Sequence, residues 1–351
     1  MGAPFVFDEI RRQPELWEQT LTQGKQETDR IRHLFHQLQV DEVILTGCGT
    51  SYYLAITAAA VFQEWTIPSR AIPASEMLLV PDTVLIPGTK TLVIAASRSG
   101  STTEVVKAVQ RLRSRPTVTT WGLTCHPDSP LTQAAHQSWT LPHAKEKSVV
   151  MTGSFTSMLL FLQWIAATVA KKEGPARELQ HLPTAAAESM SAAHTLGQQL
   201  GADLRYDHLI YLGLGAYYGL ACEGMLKAKE MTQVVCEAYN PLEFRHGPLS
   251  VLREGCRVFL LSQQRCSSQE QAVARDLRAL NADVVVLAED AASFDCDRPL
   301  PLPAGFSDAA RCLLYLPLLQ WVAYYRTLQS GLHPDRPRHL DQVVILPGEG
   351  Q

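Results

Sequence analysis

Short apolar runs alternate along this chain with segments whose apolar residues recur every three to four positions. The apolar runs fall at residues 43–46, 91–96, 118–124, 209–212, 257–261 and 282–287, with a shorter one opening 69–76. Helical periodicity marks residues 8–38, 52–65, 104–113, 216–231 and 269–280. Short strands that alternate with helices predict an α/β fold, in which helices cover both faces of a parallel sheet.

The alternating pattern occurs twice. Matching landmarks recur at offsets of 166, 165 and 164 residues, in the pairs Gly47/Gly213, Ser97/Ser262 and Leu123/Leu287. These offsets indicate a duplicated α/β unit, and the alternative is a chance alignment of common strand–turn–helix segments. We predict a helical lead (1–38), a first domain (39–170), a helical connector (171–204) broken at Pro175 and Pro183, a second domain (205–330) and a tail (331–351).

The first copy carries a loop rich in hydroxyl side chains, Ser-Arg-Ser-Gly-Ser-Thr at residues 97–102, between a strand and a helix. Hydroxyls and backbone N–H groups at the start of a helix suit a phosphate. Ser101 and Glu104 fit a capping box, so an ordinary capped turn is the alternative. Because the second copy has Gln-Gln-Arg-Cys at 263–266, we predict that anion binding resides in the first copy.

The first helix of the second copy carries ionisable side chains suited to proton transfer, with Glu223, Lys227 and Glu230 at i, i+4 and i+7. These positions share one helical face, although a solvated, salt-bridged helix would show the same spacing. The helix follows a strand through a glycine turn, which places its start near the edge where parallel sheets bind ligands. His246 lies in a loop 16 residues after Glu230. A lone loop histidine is usually solvated, but this neighbourhood favours proton chemistry.

Composition narrows the class of protein. Of the 351 residues, 46% are hydrophobic and 19% charged, which is typical of a globular protein, and a net charge of −4 gives no case for nucleic acid or an anionic membrane. The N-terminus lacks a secretory pattern and the longest apolar segment, 158–170, is too short to span a bilayer, so we predict a cytoplasmic protein. The eight cysteines form no C-x-x-C pair and predict buried free thiols, not disulfides or a zinc site.

Four motifs, in order, resemble the double sugar-isomerase (SIS) family, and within it the isomerase half of the glutamine:fructose-6-phosphate amidotransferases. They are Gly-Cys-Gly-Thr-Ser at 47–51, Ser-x-Ser-Gly-x-Thr at 97–102, Glu-Gly-x-x-Lys-x-Lys-Glu at 223–230 and Glu-x-x-His-Gly-Pro at 243–248. The resemblance covers roughly residues 8–345. It implies two flavodoxin-like SIS domains and a hexose or hexosamine phosphate ligand. It also implies a homodimer with its site at the subunit interface. The chemistry expected of such a site needs no metal or redox cofactor.

The same resemblance implies roles for individual residues. Glu230 matches the base that moves a proton between C1 and C2, His246 the residue that opens the sugar ring from across the dimer interface, and Lys227 the lysine beside the reacting carbons. A carboxylate, an imidazole and a cation suit enolisation, ring opening and stabilisation of an enediolate. The predicted substrate- and phosphate-binding residues are Gly49, Thr50, Ser51, Ser97, Arg98, Ser99, Thr102, Thr152 and Glu223. Of these, Arg98 has an alternative, an outward-pointing side chain.

Three departures from the family pattern bear on the reaction. No glutaminase-type segment precedes the two domains, so we do not expect the chain to make ammonia from glutamine. The Arg-x-Leu-x-Lys pattern of the family stands at 338–342 with Gln342 in place of the lysine associated with a ketose Schiff base. The loop at 146–156 keeps Thr152 but has Met151 and Gly153 where serine and lysine are common in the family.

We therefore expect an amino-sugar-phosphate isomerase/deaminase, which converts glucosamine-6-phosphate or a close relative to the ketose phosphate with release of ammonia. Plain aldose–ketose isomerisation, or deglycation of a fructosamine phosphate, would use the same residues. A sugar-phosphate sensor that binds without turnover is the alternative from another class. The presence of both Glu230 and His246 counts against the sensor, because binding a phosphate requires neither.

Overall fold

The computed structural model describes residues 4–345 and contains two compact units. The first unit comprises Glu15–Gln180 and the described residues from Leu340 onward, and the second unit comprises His181–His339 and the described residues before Glu15. Residues 1–3 of the predicted lead and 346–351 of the predicted tail lie outside the described range.

In chain order, the described strands are β1 (Glu42–Gly47), β2 (Ser69–Pro73), β3 (Thr91–Ala96), β4 (Val118–Thr124), β5 (Gln137–Thr140), β6 (His208–Gly213), β7 (Val235–Tyr239), β8 (Cys256–Leu261), β9 (Asp283–Ala288) and β10 (Arg298–Pro301). The described helices are α1 (Phe5–Arg11), α2 (Gln13–Leu38), α3 (Thr50–Glu64), α4 (Ala74–Leu79), α5 (Pro81–Val84), α6 (Thr103–Arg113), α7 (Pro130–Ala134), α8 (Gly153–Val169), α9 (Glu173–Ala202), α10 (Ala216–Thr232), α11 (Ser267–Ala279), α12 (Asp308–Arg311) and α13 (Leu316–Gln329).

Each unit has one five-stranded sheet in which all neighbouring strands are parallel. The first sheet has the order β2-β1-β3-β4-β5, and the second has the equivalent order β7-β6-β8-β9-β10. The predicted α/β fold with two parallel sheets is thus confirmed. In such open sheets, ligands bind at the carboxyl ends of the strands near the point where the strand order reverses.

The duplication extends to single hydrogen bonds and torsion angles. The N–H of Ser97 donates to the carbonyl of Leu123 (3.0 Å), and in the second unit the N–H of Ser262 donates to the carbonyl of Leu287 (2.9 Å). The glycines that precede α3 and α10, Gly49 and Gly215, have φ of 52° and 57° with the same ψ of −125°. The predicted repeat is therefore confirmed at the landmarks that suggested it.

The central strands are buried because helices cover the sheets. All six residues of β3 and of β8 are buried, which explains their continuous apolar runs. In the first unit, Ala108 and Leu112 of α6 pack on Ile44 and Val93 of the sheet. In the second unit, α11 packs in the same way through Val273, Ala274 and Leu277.

Several local predictions are wrong. The helix predicted at 8–38 is two helices, α1 and α2, separated at Arg12. Pro175 and Pro183 do not break the connector, since α9 runs from Glu173 to Ala202. Pro175 stands in the first turn, where an amide N–H has no intrahelical partner, and packing of buried leucines and alanines maintains the helix around Pro183.

The sequence patterns also missed three edge strands and several helices, among them α4, α8 and α13. The strands β5, β7 and β10 have only four or five residues, and β10 contains two prolines, which are tolerated at a sheet edge. The segment after the short apolar run at β2 forms α4, a helix of six residues that is too short to show a helical period.

All eight cysteines are free thiols, and five of them are buried, as the sequence predicted. Burial raises the pKa of the Cys48 thiol, in the glycine turn after β1, to about 12, with a further contribution from nearby Glu104. Within residues 4–345, the apolar helices all fall short of what a membrane crossing requires.

Candidate functional site

Two loops of the first unit emerge side by side at the carboxyl edge of its sheet. The glycine turn at 47–51 follows β1, and the loop at 97–102, hereafter the serine-rich loop, follows the neighbouring strand β3. Gly49 precedes α3, and Thr50 and Ser51 are buried in the first turn of that helix. The structure thus brings together the predicted substrate-binding residues of these two loops.

The serine-rich loop is tied together by its own hydroxyls. Ser97 Oγ accepts from the N–H of Gly100 (3.1 Å) and lies 3.1 Å from Thr102 Oγ1. Ser99 Oγ accepts from the N–H of Ser101 (3.1 Å). The predicted capping box is wrong: α6 begins at Thr103, its N-cap is Thr102, and no side-chain cap bond forms. The hydroxyl of Ser101 instead donates to the carbonyl of Ser99 (3.3 Å), within the loop.

Gly100 is required by the shape of this loop. Its φ is +64°, and a Cβ at this position would collide with the side chain of Ser129. We expect Gly100→Ala to lower the free energy of unfolding by about 1–3 kcal/mol and to raise KM for a sugar phosphate. Gly88 is the matched control, because its φ is +81° but nothing lies within 4 Å of an added Cβ.

Urea titration and steady-state kinetics of both alanine variants check this prediction. Gly88→Ala should carry only the backbone cost and leave KM unchanged. Equal losses of stability and equal KM values for the two variants would contradict a steric requirement at Gly100.

Arg98 does not point outward, because only 8% of the residue is exposed. Its guanidinium donates to the carbonyls of Ser148 (3.3 Å), Val149 (2.9 Å) and Val150 (3.2 Å). It also lies 3.6 Å from the carboxylate of Glu146. The side chain therefore holds the loop at 146–152 against the serine-rich loop, and direct contact with phosphate stays a prediction.

Glu146 is a buried carboxylate that the sequence analysis did not single out. One of its oxygens, Oε1, accepts from the N–H and the hydroxyl of Thr152 (2.8 Å each) and from the N–H of Ser154 (3.1 Å). The hydroxyl of Ser154 donates to the other oxygen. Glu146 thus caps the N-terminus of α8, where the helix dipole favours an anion. Thr152 is fully buried in this arrangement, and its predicted contact with substrate is untested.

Gln342, which replaces the family lysine, takes part in the same network. Its side-chain amide donates to the carbonyls of Lys147 (2.8 Å) and Ser148 (2.9 Å), and its own carbonyl accepts from Arg98 (3.3 Å). Two residues further on, the carbonyl of Val344 accepts from the N–H of Thr103 (3.4 Å) at the start of α6. The segment at 342–344 is therefore bound to the serine-rich loop through Arg98, to the start of α6 and to the loop at 146–152.

In the second unit, α10 places Glu223, Lys227 and Glu230 on one face, as the spacing predicts. Lys227 Nζ lies 2.6 Å from Glu230 Oε2 and 3.6 Å from Glu223 Oε1. The side chains of Glu223 and Lys227 are 0% and 2% exposed, so the alternative of a solvated helix is wrong for these two residues. Glu230 keeps 21% of its side chain exposed, so its carboxyl group is accessible to solvent beside a buried lysine.

His246 lies in the loop after β7, at the end of a short 3₁₀ turn. The backbone N–H of His246 donates to the carbonyl of Glu243 (2.9 Å), and the histidine is exposed to solvent. The Gly247 that follows has φ of +132°, a backbone geometry that favours glycine. The imidazole is thus free of the hydrophobic core, and its role in ring opening stays a prediction.

The second unit also has two carboxylates at the loop that matches the serine-rich loop. Asp308 accepts from the N–H groups of Gln264 (2.9 Å) and Arg265 (3.3 Å), and Glu270 accepts from Ser262 Oγ (2.5 Å) and the N–H of Gln263 (2.9 Å). Burial raises the pKa of Glu270 to about 7, and hydrogen bonds from Ser262 and Gln263 oppose this shift. The sequence analysis missed both carboxylates, since neither falls in a motif.

Comparison with known families agrees with this architecture. The SIS domain family matches residues 38–168 and 205–298, which contain the whole first sheet and strands β6 to β9 of the second, with the loops that follow β1, β3, β6 and β8. The chain therefore belongs to the SIS domain family, that of the phosphosugar isomerases.

Among curated relatives, the glutamine–fructose-6-phosphate aminotransferases (isomerizing) of Sulfurisphaera tokodaii and Pyrobaculum aerophilum are 26% and 29% identical over 98% of this chain. The chain spans only 57% and 58% of their lengths. Similarity to these enzymes is therefore similarity to a little over half of each.

Solved structures share the whole fold. A glucosamine-6-phosphate deaminase from Thermotoga maritima superposes with a TM-score of 0.74 at 28% identity, covering 94% of this chain and 100% of the other. A tagatose-6-phosphate ketose/aldose isomerase from Escherichia coli gives 0.86 at 24% identity, covering 95% of each chain, and at that identity it supports the fold alone.

Proposed function

We propose that this chain is an amino-sugar-phosphate isomerase/deaminase, which converts glucosamine-6-phosphate or a close relative, with water, to the ketose phosphate and ammonia. The observation that carries the proposal is the accessible carboxylate of Glu230, 2.6 Å from the buried ammonium of Lys227. A carboxylate base paired with a cation suits proton transfer next to a carbonyl, where negative charge develops on oxygen.

In the proposed reaction, the serine-rich loop and the glycine turn at 47–51 bind the phosphate end, and His246 opens the sugar ring to expose the C1 aldehyde. Glu230 removes the proton from C2, and the electron pair of that C–H bond forms an enolamine. Return of the proton to C1, together with net transfer of one amine proton to the C1 oxygen, gives an imine at C2. Water adds to this imine, the C–N bond breaks, and ammonia leaves with the ketone in its place.

Two features favour deamination over synthesis. Gln342 stands where relatives of the amidotransferase type have a lysine, and an amide cannot form a Schiff base with a ketose. The 28% identical structural relative named as a glucosamine-6-phosphate deaminase is matched along its entire length. A homodimer with His246 reaching the partner's site is part of the proposal.

The proposal is tested by incubating the purified chain with a panel of substrates and measuring ammonia and ketose phosphate separately. The panel contains glucosamine-6-phosphate, galactosamine-6-phosphate, their N-acetyl forms and a fructosamine 6-phosphate. We expect ammonia and ketose phosphate in equal amounts from at least one free hexosamine phosphate, and none from the N-acetyl forms.

Each other outcome points to a different function. Ketose phosphate without ammonia, from an aldose phosphate, would favour a plain isomerase. Turnover of the fructosamine phosphate alone would favour a deglycase. A rise in Tm with sugar phosphates and no turnover of any of them would favour a sensor.

A further inference from the structure

The two units present equivalent loops after equivalent strands, β3 and β8, but these loops are filled differently. In the first unit, the hydroxyls of Ser97 and Ser99 bond to N–H groups within the loop. In the second unit, the loop N–H groups of Gln264 and Arg265 donate to the carboxylate of Asp308, which lies 44 positions from Gln264 in sequence.

Asp308 occupies the second loop as a bound anion would. It is 8% exposed, it accepts two backbone N–H bonds, and the guanidinium of Arg265 lies 3.3 Å from its Oδ2. Backbone N–H groups together with an arginine are the donors with which proteins bind phosphate. Glu270 accepts from the two preceding positions, Ser262 and Gln263, so four consecutive residues donate to carboxylates of the protein itself.

The corresponding carboxylate of the first unit is directed elsewhere. Glu146 follows the last strand of its sheet, β5, as Asp308 follows β10. The hydrogen-bond donors to Glu146 are Thr152 and Ser154, at the start of α8. The guanidinium of Arg98 is its ion-pair partner, so from the serine-rich loop Glu146 meets a side chain and not the backbone N–H groups. In the second unit a carboxylate therefore accepts from the loop N–H groups, whereas in the first unit the hydroxyls of the loop itself accept from them.

The space beside the second loop is small. A cavity of about 100 Å³ lies there, lined by residues that include Ser262, Gln263, Ser267 and Glu289. Sites for small organic ligands usually measure about 300–1,000 Å³. A hexose phosphate does not fit such a cavity.

We infer that the second unit retains a phosphate-type loop whose anion is built in, supplied by Asp308, so that this loop is closed to a sugar phosphate. This inference rests on the proposed function and deepens it by assigning the phosphate to one of two duplicated loops. It also predicts that removal of the Asp308 carboxylate opens a second anion site.

The experiment is chemical rescue of Asp308→Ala with inorganic phosphate, followed by thermal unfolding. Without phosphate, the Tm of the variant should fall by about 4–8 °C, because two backbone N–H groups lose their acceptor and Arg265 loses its carboxylate partner. Tens of millimolar phosphate should restore at least half of that loss, while chloride at the same ionic strength should not. Glu254→Ala, which removes an exposed carboxylate before β8, at the opposite end of that strand from the loop, is the control for phosphate bound elsewhere.

A phosphate response of Asp308→Ala no larger than that of Glu254→Ala would overturn the inference. Titration calorimetry of the wild-type chain with a hexose 6-phosphate provides a second measurement that does not depend on a variant. One site per chain is expected, and two would overturn the inference. Failure of every hexosamine phosphate to turn over would count against the proposed function and leave the rescue result unaffected.

Discussion

Glu230→Gln should lower kcat for the hexosamine phosphate by about 10²–10⁴-fold while changing KM by less than about threefold. The amide keeps the size of the side chain and an oxygen that accepts from Lys227, but it cannot take a proton from C2. Because the Glu230 side chain is 21% exposed and lies at the surface end of the pair, the fold should be retained. Ammonia release measured under saturating substrate checks the prediction.

A matched control comes from the same unit. Glu254 is an exposed carboxylate outside the predicted site, and Glu254→Gln should leave kcat unchanged. Solvent deuterium provides an independent readout, since the wild-type enzyme should place deuterium on C1 of the ketose. Ammonia at the wild-type rate from Glu230→Gln would exclude this carboxylate as the base.

Arg98→Met should lower the free energy of unfolding by about 3–5 kcal/mol, the usual cost of leaving one partner of a buried ion pair uncompensated. The variant leaves Glu146, whose side chain is 2% exposed, without its cationic partner. It also removes the hydrogen-bond donors to three loop carbonyls. Urea titration checks the prediction. Arg115→Met is the control, because the Arg115–Asp82 pair of the same unit is exposed and should contribute less than about 1 kcal/mol.

The double variant Arg98→Met/Glu146→Gln sharpens this prediction. Neutralising the carboxylate should recover part of the loss, so the two changes should be less destabilising together than their sum. A stable Arg98→Met chain with a strongly raised KM would instead show that Arg98 serves as a phosphate ligand, as the family resemblance implies.

The fold was largely accessible from the sequence, because buried parallel strands are continuous apolar runs and the repeat occurs at a nearly constant offset. The edge strands of the two sheets could not be predicted from the sequence. The short strands β5, β7 and β10 are only partly buried, so their sequences carry little hydrophobic signal. The connector was wrongly broken because a proline predicts the end of a helix locally, while the buried leucines and alanines of α9 determine the outcome.

For the site, motif spacing predicted the shared face of Glu223, Lys227 and Glu230 but not its burial, which depends on packing around α10. Glu146 and Asp308 were missed for another reason. Asp308 accepts hydrogen bonds from residues more than 40 positions away in sequence. Glu146 accepts from residues across a turn whose shape the sequence does not reveal. The ambiguity of Arg98 was resolved only by the carbonyls of Ser148, Val149 and Val150, which no side-chain pattern encodes.

Neither unit is continuous along the chain. The second unit includes α1, where the N–H groups of Phe5 and Val6 donate to Asp335 and Phe7 packs on Trp321. The first unit includes the segment around Gln342. A cut between residues 180 and 181 would therefore take from each half a segment that completes it. No single cut in the chain therefore yields both units complete.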